Sequence, residues 1–105
     1  MAEALFCANY LCEIDPSHPS FVRKSNHKNY TEAHHLIPLS KQSNFEYSLD
    51  DSANIVSLCS NCHNFLHYGE NKTLFLKKLY DSRIEKLKKQ KIYITFEELC
   101  SYYGE

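Results

Sequence analysis

Short apolar runs separated by polar loops make up the first two thirds of the chain. Residues 32–37 and 54–58 are short and rich in apolar or β-branched side chains, and each predicts a β-strand. The intervening residues 40–52 are rich in Ser, Asn and Asp and predict a loop. Residues 59–68 then change to a helical pattern, which Gly69 ends. The predicted order is therefore two strands followed by a helix.

The last third of the chain has a helical pattern. Five apolar residues recur at helical spacing and predict a helix over residues 73–89: Leu76, Leu79, Tyr80, Ile84 and Leu87. Thr95 and Glu98 have the spacing of a capping box. This pair predicts a last short helix that ends near Tyr103.

The length of 105 residues predicts one domain, in which a metal would add to the stability of a limited core. Within it we distinguish a core over residues 1–71 and a helical extension over residues 72–105. The sequence has no apolar run of about 18 residues and no signal peptide, so we predict a cytoplasmic protein without membrane contact. Its five cysteines would stay reduced there, which favours metal binding over disulfides.

The net charge of −1 argues against a general nucleic-acid-binding protein. The charges are unevenly distributed, because residues 72–91 carry +6 and the remainder carries −7. Such a basic segment is typical either of a face that contacts phosphates or of the solvated side of an amphipathic helix. If the first alternative holds, Lys77, Lys78 and Arg83 are the candidate DNA contacts.

Two histidines on the first predicted helix have the spacing of a metal site. His63 and His67 are four residues apart, so they share one face of a helix and can bind one ion. They directly follow the C-x2-C sequence of Cys59 and Cys62. A zinc finger separates its two ligand pairs by about a dozen residues, whereas Cys62 and His63 are adjacent. Two separate sites therefore fit the spacing better than one.

The cysteine pairs predict a structural zinc site. Cys7 and Cys12, in a predicted turn over residues 5–14, form a wider pair that can complete a four-thiolate site with Cys59 and Cys62. Such a site would join the N-terminus to the middle of the chain and would stabilise the domain. The alternative is that these thiols are simply small buried side chains.

The arrangement of these residues resembles that of the HNH endonucleases, which have the ββα-metal fold. The shared pattern is His-His on the first strand, Asn at the start of the second and two histidines on the following helix: His34, His35, Asn54, His63 and His67. The stretches EAHHLIPLS and ANIVSLCSNCHNFLHYG look closest to the HNH domains of bacterial restriction enzymes. The resemblance covers residues 7–69. It implies an α+β fold with a small ββα-metal core, a four-cysteine zinc knuckle and a C-terminal helical extension.

The resemblance also implies a role for each residue. One divalent ion (Mg²⁺, Mn²⁺, Ni²⁺ or Zn²⁺) would be bound by His34, His63 and His67. His35 would be the general base, and Asn54 would orient it. A structural Zn²⁺ ion would be bound by the four cysteines Cys7, Cys12, Cys59 and Cys62. The implied activity is hydrolysis of DNA to 5′-phosphate and 3′-hydroxyl ends, in restriction or in defence against phage.

Two details of the predicted site stay open. Adjacent residues of a regular strand point to opposite faces, so His34 and His35 reach one site only if the strand twists or ends there. Glu32 is either a partner of His34 or an exposed carboxylate at the strand edge. His18 lies in a polar loop and is interpreted as a surface residue.

The alternative function is a catalytically silent zinc-ribbon module that binds nucleic acid or protein, and it would have no use for His35. A toxin nuclease fits less well, because the net charge is acidic and export features are absent from the sequence. Few residues are suited to read bases, so specificity would come from a fused or separate DNA-recognition domain. A homodimer would allow two one-metal sites to cut both strands.

Overall fold

The computed structural model describes residues 2–105, and its central element is a two-stranded antiparallel sheet. The strands are β1, Glu32–His35, and β2, Ile55–Leu58. In the register of this sheet His34 lies opposite Val56. Every residue of β2 is buried, as its apolar, β-branched sequence predicts. Both predicted strands are therefore present, each slightly shorter than expected.

The helix α2, Ser60–Tyr68, follows β2 directly and completes a ββα arrangement. Its inner face buries Cys62 and Leu66. The helix ends before Gly69, where a Cβ atom would lie 2.3 Å from Cδ1 and 2.8 Å from the carbonyl oxygen of Phe65. These contacts are too short for a side chain, so this position requires glycine.

The N-terminal segment differs from the prediction. Ala2–Cys7 forms a short helix, α1, where a turn holding both Cys7 and Cys12 was expected. The chain then turns at Asn9 and Tyr10, whose φ angles are 56° and 57°. Cys7 is consequently the last residue of a helix and is exposed, whereas Cys12 is buried.

Two 3-10 turns lie in the loop that joins the strands, at Leu39–Asn44 and Ser52–Asn54. The second turn is capped by Asp51, whose carboxylate accepts a hydrogen bond from the backbone N–H of Ala53 at 2.9 Å. Asn54 ends this turn and therefore stands immediately before β2.

Two helices form the C-terminal part of the chain: α3, Thr73–Lys89, and α4, Phe96–Tyr102. The hydroxyl of Thr95 accepts a hydrogen bond from the backbone N–H of Glu98 at 3.1 Å, so the predicted N-terminal cap of α4 is present. No helix within residues 2–105 is long and apolar enough to cross a membrane.

A single buried apolar cluster joins the ββα region to the C-terminal helices. Its fully buried members come from both parts: Leu36, Ile37, Leu49, Val56, Leu58, Cys62, Leu66, Leu76, Leu79, Leu87, Ile92 and Leu99. Removal of this apolar surface from water is the main stabilising contribution to such a fold. The predicted α+β class is confirmed, and the C-terminal helices stabilise the region that carries the candidate site.

Candidate metal centre and catalytic site

Three histidines from two elements meet where the sheet adjoins α2. β1 presents His34, and one face of α2 presents His63 and His67. One ring nitrogen of each histidine lies within 4.8 Å of the others. The two Nε2 atoms of His63 and His67 are 3.2 Å apart, and the ring centroid of His34 is 5.1 Å from each of the other two. The structure thus brings together the three histidines predicted to bind a divalent ion.

The environment of His34 and of His67 favours the neutral form of the ring, which is the form that binds a cation. Burial, followed by the charges of His63 and His67, lowers the pKa of His34 to about 3. Burial also lowers the pKa of His67, with smaller contributions from His63 and Lys72. Neutral imidazoles have the lone pairs that a metal requires. Catalytic metal sites have three protein ligands and room for further ligands, whereas structural sites are closed. This donor set therefore fits a catalytic ion.

Glu32 holds His63 in position. Its Oε1 atom lies 2.9 Å from Nδ1 of His63, which leaves Nε2 of that ring directed towards His67. The same carboxylate accepts a hydrogen bond from the hydroxyl of Tyr30, which is the largest cause that lowers the pKa of Glu32. Glu32 is therefore the partner of His63 and not of His34, and it is not a free carboxylate at the strand edge.

Tyr103, directly after α4, fixes the orientation of His34. Its hydroxyl donates to the carbonyl oxygen of Leu36 at 2.7 Å and also lies 2.7 Å from Nε2 of His34. Because the hydroxyl hydrogen is used on Leu36, the oxygen accepts from Nε2–H, and Nδ1 of His34 keeps its lone pair. Burial raises the pKa of Tyr103, so its hydroxyl stays protonated. Metal-binding histidines typically have their second nitrogen engaged in this way.

His35 lines the same cavity as His34, a space of about 490 Å³ beside the three histidines. β1 ends at His35, so the alternation of a regular strand stops there and both rings reach one site. Nε2 of His35 lies 2.9 Å from Oδ1 of Asp50, in the loop before β2. A hydrogen bond donated by Nε2 leaves Nδ1 with a lone pair, which is the form that a general base requires.

The buried side chain of Asn54 forms hydrogen bonds to the loop between the strands and not to His35. Its Oδ1 accepts from the backbone N–H of Ile37 at 2.8 Å. Its Nδ2 donates to the carbonyl oxygens of Ile37 and Leu49 at 3.0 and 2.9 Å. That Asn54 orients His35 therefore stays a prediction, and its side-chain hydrogen bonds go to the loop rather than to the His35 ring. Asn54 joins the two ends of the loop that follows β1 and so positions Asp50, the residue that does contact His35.

A second group of metal-ligating side chains consists of Cys12, His18, Cys59 and Cys62, whose donor atoms lie within 4.8 Å of one another. Nδ1 of His18 is 3.3 Å from Sγ of Cys62 and 3.7 Å from Sγ of Cys59. Burial opposes ionisation of Cys12, but hydrogen bonds from the backbone, led by that of Cys59, lower its pKa to about 7. A donor set of three cysteines and one histidine fits a closed structural zinc site.

Cys7 lies outside this group, so the four-cysteine ligand set is corrected to three cysteines and His18. The reason is local: α1 ends at Cys7 with its thiol exposed, and the turn at Asn9 and Tyr10 separates it from Cys12. His18 takes the fourth place, although its sequence context indicated a surface residue. Cys12 nevertheless brings the N-terminal segment next to Cys59 and Cys62 at the start of α2, and the zinc link between them stays a prediction.

The three basic residues predicted to contact DNA are engaged within the protein. Arg83 is only 7% exposed, and its guanidinium lies 2.8 Å from the carboxylate of Glu13. Lys78 donates to a main-chain carbonyl oxygen, and Lys77 pairs with Asp81 at 3.0 Å. The prediction is wrong for Arg83, because a buried, paired guanidinium on the inner face of α3 does not reach a phosphate. It stays a prediction for the two exposed lysines.

Three site residues were not identified from the sequence: Asp50, Tyr103 and His18. Asp50 is 15 residues from its partner His35, and Tyr103 is 69 residues from His34, so neither contact follows from a local pattern. For His18 a signal was present, since histidine is a zinc ligand and this one follows Cys12 by six residues in a loop.

Comparison with known proteins agrees with this geometry. Residues 21–69 match the family model described as HNH endonuclease. The type IV methyl-directed restriction enzyme EcoKMcrA of Escherichia coli (strain K12) is similar to this chain, with 43% identity over 51 residues. The matched region is 49% of this chain and only 17% of that enzyme.

Proposed function

We propose that this chain, whose residues 21–69 belong to the HNH endonuclease family, hydrolyses phosphodiester bonds of DNA as the nuclease part of a restriction-type system. The observation that carries the proposal is one cavity lined by three metal-ligating histidines and by His35, whose ring is held by Asp50. A silent zinc-binding module would have no use for an oriented base beside a metal site.

The proposed reaction assigns a step to each side chain. Asp50 holds Nε2–H of His35, so that Nδ1 accepts a proton from the attacking water. The water oxygen bonds to phosphorus while the bond from phosphorus to the 3′ oxygen breaks, and the 3′ oxygen takes a proton from solvent water, leaving a 5′-phosphate and a 3′-hydroxyl. A divalent ion held by His34, His63 and His67 would supply positive charge that stabilises the phosphate and the leaving oxygen.

The second ligand group has a structural role in this proposal. Zinc held by Cys12, His18, Cys59 and Cys62 would tie the loop before β1 to the N-terminal end of α2. Since α2 carries both His63 and His67, zinc binding would help to fix the catalytic ligands. Zinc is therefore expected to support activity without taking part in the chemistry.

Partners follow from the proposed reaction. DNA is the substrate, and a restriction-type nuclease would meet it in the cytoplasm. One site with one base cleaves one strand, so a double-strand break would require a homodimer or two successive events. The chain matches only 17% of EcoKMcrA, and we propose that sequence or modification recognition is supplied by another domain or a partner protein.

Cleavage of supercoiled plasmid tests the proposal. The purified protein is incubated with Mg²⁺, Mn²⁺, Ni²⁺ or Zn²⁺ in turn, beside His35→Ala and, as a matched control, His27→Asn, which replaces an exposed histidine at a positive φ that Asn tolerates. We expect metal-dependent nicking by the wild type and by His27→Asn, and none by His35→Ala. If the wild type is folded, contains zinc and binds DNA but does not cut it with any of the four metals, the nuclease proposal fails and the chain is a silent binding module.

A further inference from the structure

Lys72 is a buried lysine at the junction between α2 and α3, and the nuclease mechanism above does not use it. The residue is only 7% exposed. The ammonium Nζ donates a hydrogen bond to the carbonyl oxygen of Leu66 at 2.7 Å and lies 5.8 Å from the centroid of the Tyr103 ring. One main-chain oxygen and one aromatic face leave donor capacity on an ammonium group that has three N–H bonds.

Buried cations are normally paired with a carboxylate, because an unpaired charge is costly to remove from water. None of the ion pairs formed within residues 2–105 includes Lys72. The nearby carboxylate of Glu105 accepts instead from the backbone N–H of Lys72 at 2.8 Å and from the hydroxyl of Thr73 at 3.1 Å. The ammonium therefore lacks an anionic partner among the side chains that the structure describes.

The position of Lys72 indicates which anion would pair with its ammonium group. Lys72 lines the same cavity as His34, His63 and His67. Lys72 therefore borders the space in which a phosphate bound to the candidate metal centre would lie. Phosphate oxygens are strong acceptors for an ammonium group, and a partly desolvated contact is stronger than one on the protein surface.

We propose that the ammonium of Lys72 binds a non-bridging oxygen of the DNA phosphate at the cleavage site. The proposal rests on the proposed function, because it assigns that phosphate to the cavity of the candidate metal centre. It separates Lys72 from Lys77 and Lys78, which lie on the outer surface of α3 and would contact DNA only at its periphery. The alternative is a purely structural role, in which Lys72 only caps the C-terminal end of α2 through its hydrogen bond to Leu66.

Two variants separate these readings of Lys72. Lys72→Gln removes the charge but keeps an N–H donor for the carbonyl of Leu66, and Lys72→Arg keeps the charge. Lys24→Met is the matched control, since it removes one exposed positive charge outside the cavity. Thermal unfolding and zinc content establish that each variant is folded. If Lys72→Gln is not folded, Lys72→Met serves as a second neutral variant, and the comparison is otherwise the same.

The first measurement is binding of a short DNA duplex at a series of salt concentrations, in the His35→Ala background so that cleavage does not interfere. We expect Lys72→Gln to lower the magnitude of the slope of log K against log salt by about 1, as loss of one phosphate contact requires. Lys72→Arg should restore the slope, and Lys24→Met should leave it unchanged. An unchanged slope in Lys72→Gln would overturn the phosphate contact and leave the capping role.

The second measurement is plasmid cleavage with His35 intact. We expect Lys72→Gln to lower the cleavage rate by about 100- to 1,000-fold, as loss of one donor to the developing negative charge does in other enzymes. If the wild type cuts and Lys72→Gln cuts equally well, the Lys72 proposal fails while the nuclease proposal stands. If the wild type does not cut but the slope changes in Lys72→Gln, the nuclease proposal fails and the phosphate contact stands.

Discussion

The hydroxyl of Tyr103 lies 2.7 Å from Nε2 of His34, and the two residues are 69 positions apart in the chain. The same hydroxyl donates to the carbonyl oxygen of Leu36, which fixes its hydrogen and makes its oxygen the acceptor for His34. The C-terminal helices therefore do more than bury apolar surface. They also place the hydroxyl group of Tyr103, which determines which ring nitrogen of His34 keeps a lone pair for a metal ion.

This contact predicts the behaviour of Tyr103→Phe. Loss of the hydroxyl frees His34 to rotate and to change tautomer, so the affinity of the three-histidine site for a divalent ion should fall by about 10- to 100-fold, as for other residues that orient metal ligands. Isothermal titration of the zinc-loaded protein with Mn²⁺ or Ni²⁺ measures the effect.

Tyr102→Phe is the control for this experiment. Tyr102 lines the same cavity, but its hydroxyl bonds to Glu98 at 2.8 Å and to Asn44 at 3.3 Å rather than to a histidine. It should bind the ion with unchanged affinity. Equal losses in both variants would show that the effect does not depend on the contact between the hydroxyl of Tyr103 and His34.

The contact between Asp50 and His35 predicts a different kinetic result. Asp50→Asn removes the carboxylate that selects the base form of His35 while leaving the metal ligands intact. We expect the cleavage rate to fall by about 10- to 100-fold, which is part of the factor of roughly 10²–10⁴ that a general base contributes. Binding of the divalent ion should not change. Glu46→Gln, an exposed acid in the same loop, should cut like the wild type.

Local patterns in the sequence accounted for most of the fold. The spacing of apolar residues gave the bounds of α3, and the pair Thr95 and Glu98 marked the start of α4, because helices and their caps depend on neighbouring residues. The histidines of α2 were likewise evident from their spacing of four. What these features share is that each is determined within one or two turns of the chain.

The parts that the sequence did not disclose depend on loops and on distant contacts. The loop that carries Asp50 is placed by Asn54, through hydrogen bonds to Ile37 and Leu49, and no periodicity predicts where such a loop brings its side chains. The choice between Cys7 and His18 depended on where α1 ends and how the following residues turn. Residue type identified the chemistry, but only the tertiary structure identified the partner.

The corrected zinc ligands make a prediction that separates His18 from Cys7. His18→Ala should lose zinc on dialysis and unfold at a lower temperature, because structural zinc contributes directly to folding free energy. His18→Cys should retain zinc, since a thiolate can occupy the same place, and Cys7→Ser should behave like the wild type because that thiol is exposed. Metal content by mass spectrometry, beside thermal unfolding, measures both effects. Loss of zinc from Cys7→Ser with retention in His18→Ala would restore the four-cysteine set.

The ion pair of Arg83 and Glu13 predicts that Arg83 is a stability residue and not a DNA contact. The guanidinium also donates to the carbonyl oxygen of Ile55 at 3.1 Å, and the carboxylate of Glu13 accepts from the backbone N–H of Ser57 at 2.6 Å, so the pair ties the N-terminal segment and α3 to β2. Arg83→Met leaves the carboxylate without its partner. We therefore expect the free energy of unfolding to fall by about 3–5 kcal/mol, as is typical when one member of a buried pair is removed.

Urea denaturation measures this loss, and an exposed lysine on the same helix serves as the control: Lys86→Met should change the free energy of unfolding by less than about 0.5 kcal/mol. The double variant with Glu13→Gln should be more stable than the sum of the two single losses implies, because the second change removes the carboxylate that the first leaves unpaired. Under conditions in which Arg83→Met is folded, the salt dependence of its DNA binding should equal that of the wild type. A smaller slope of log K against log salt together with unchanged stability would show that Arg83 contacts DNA after all.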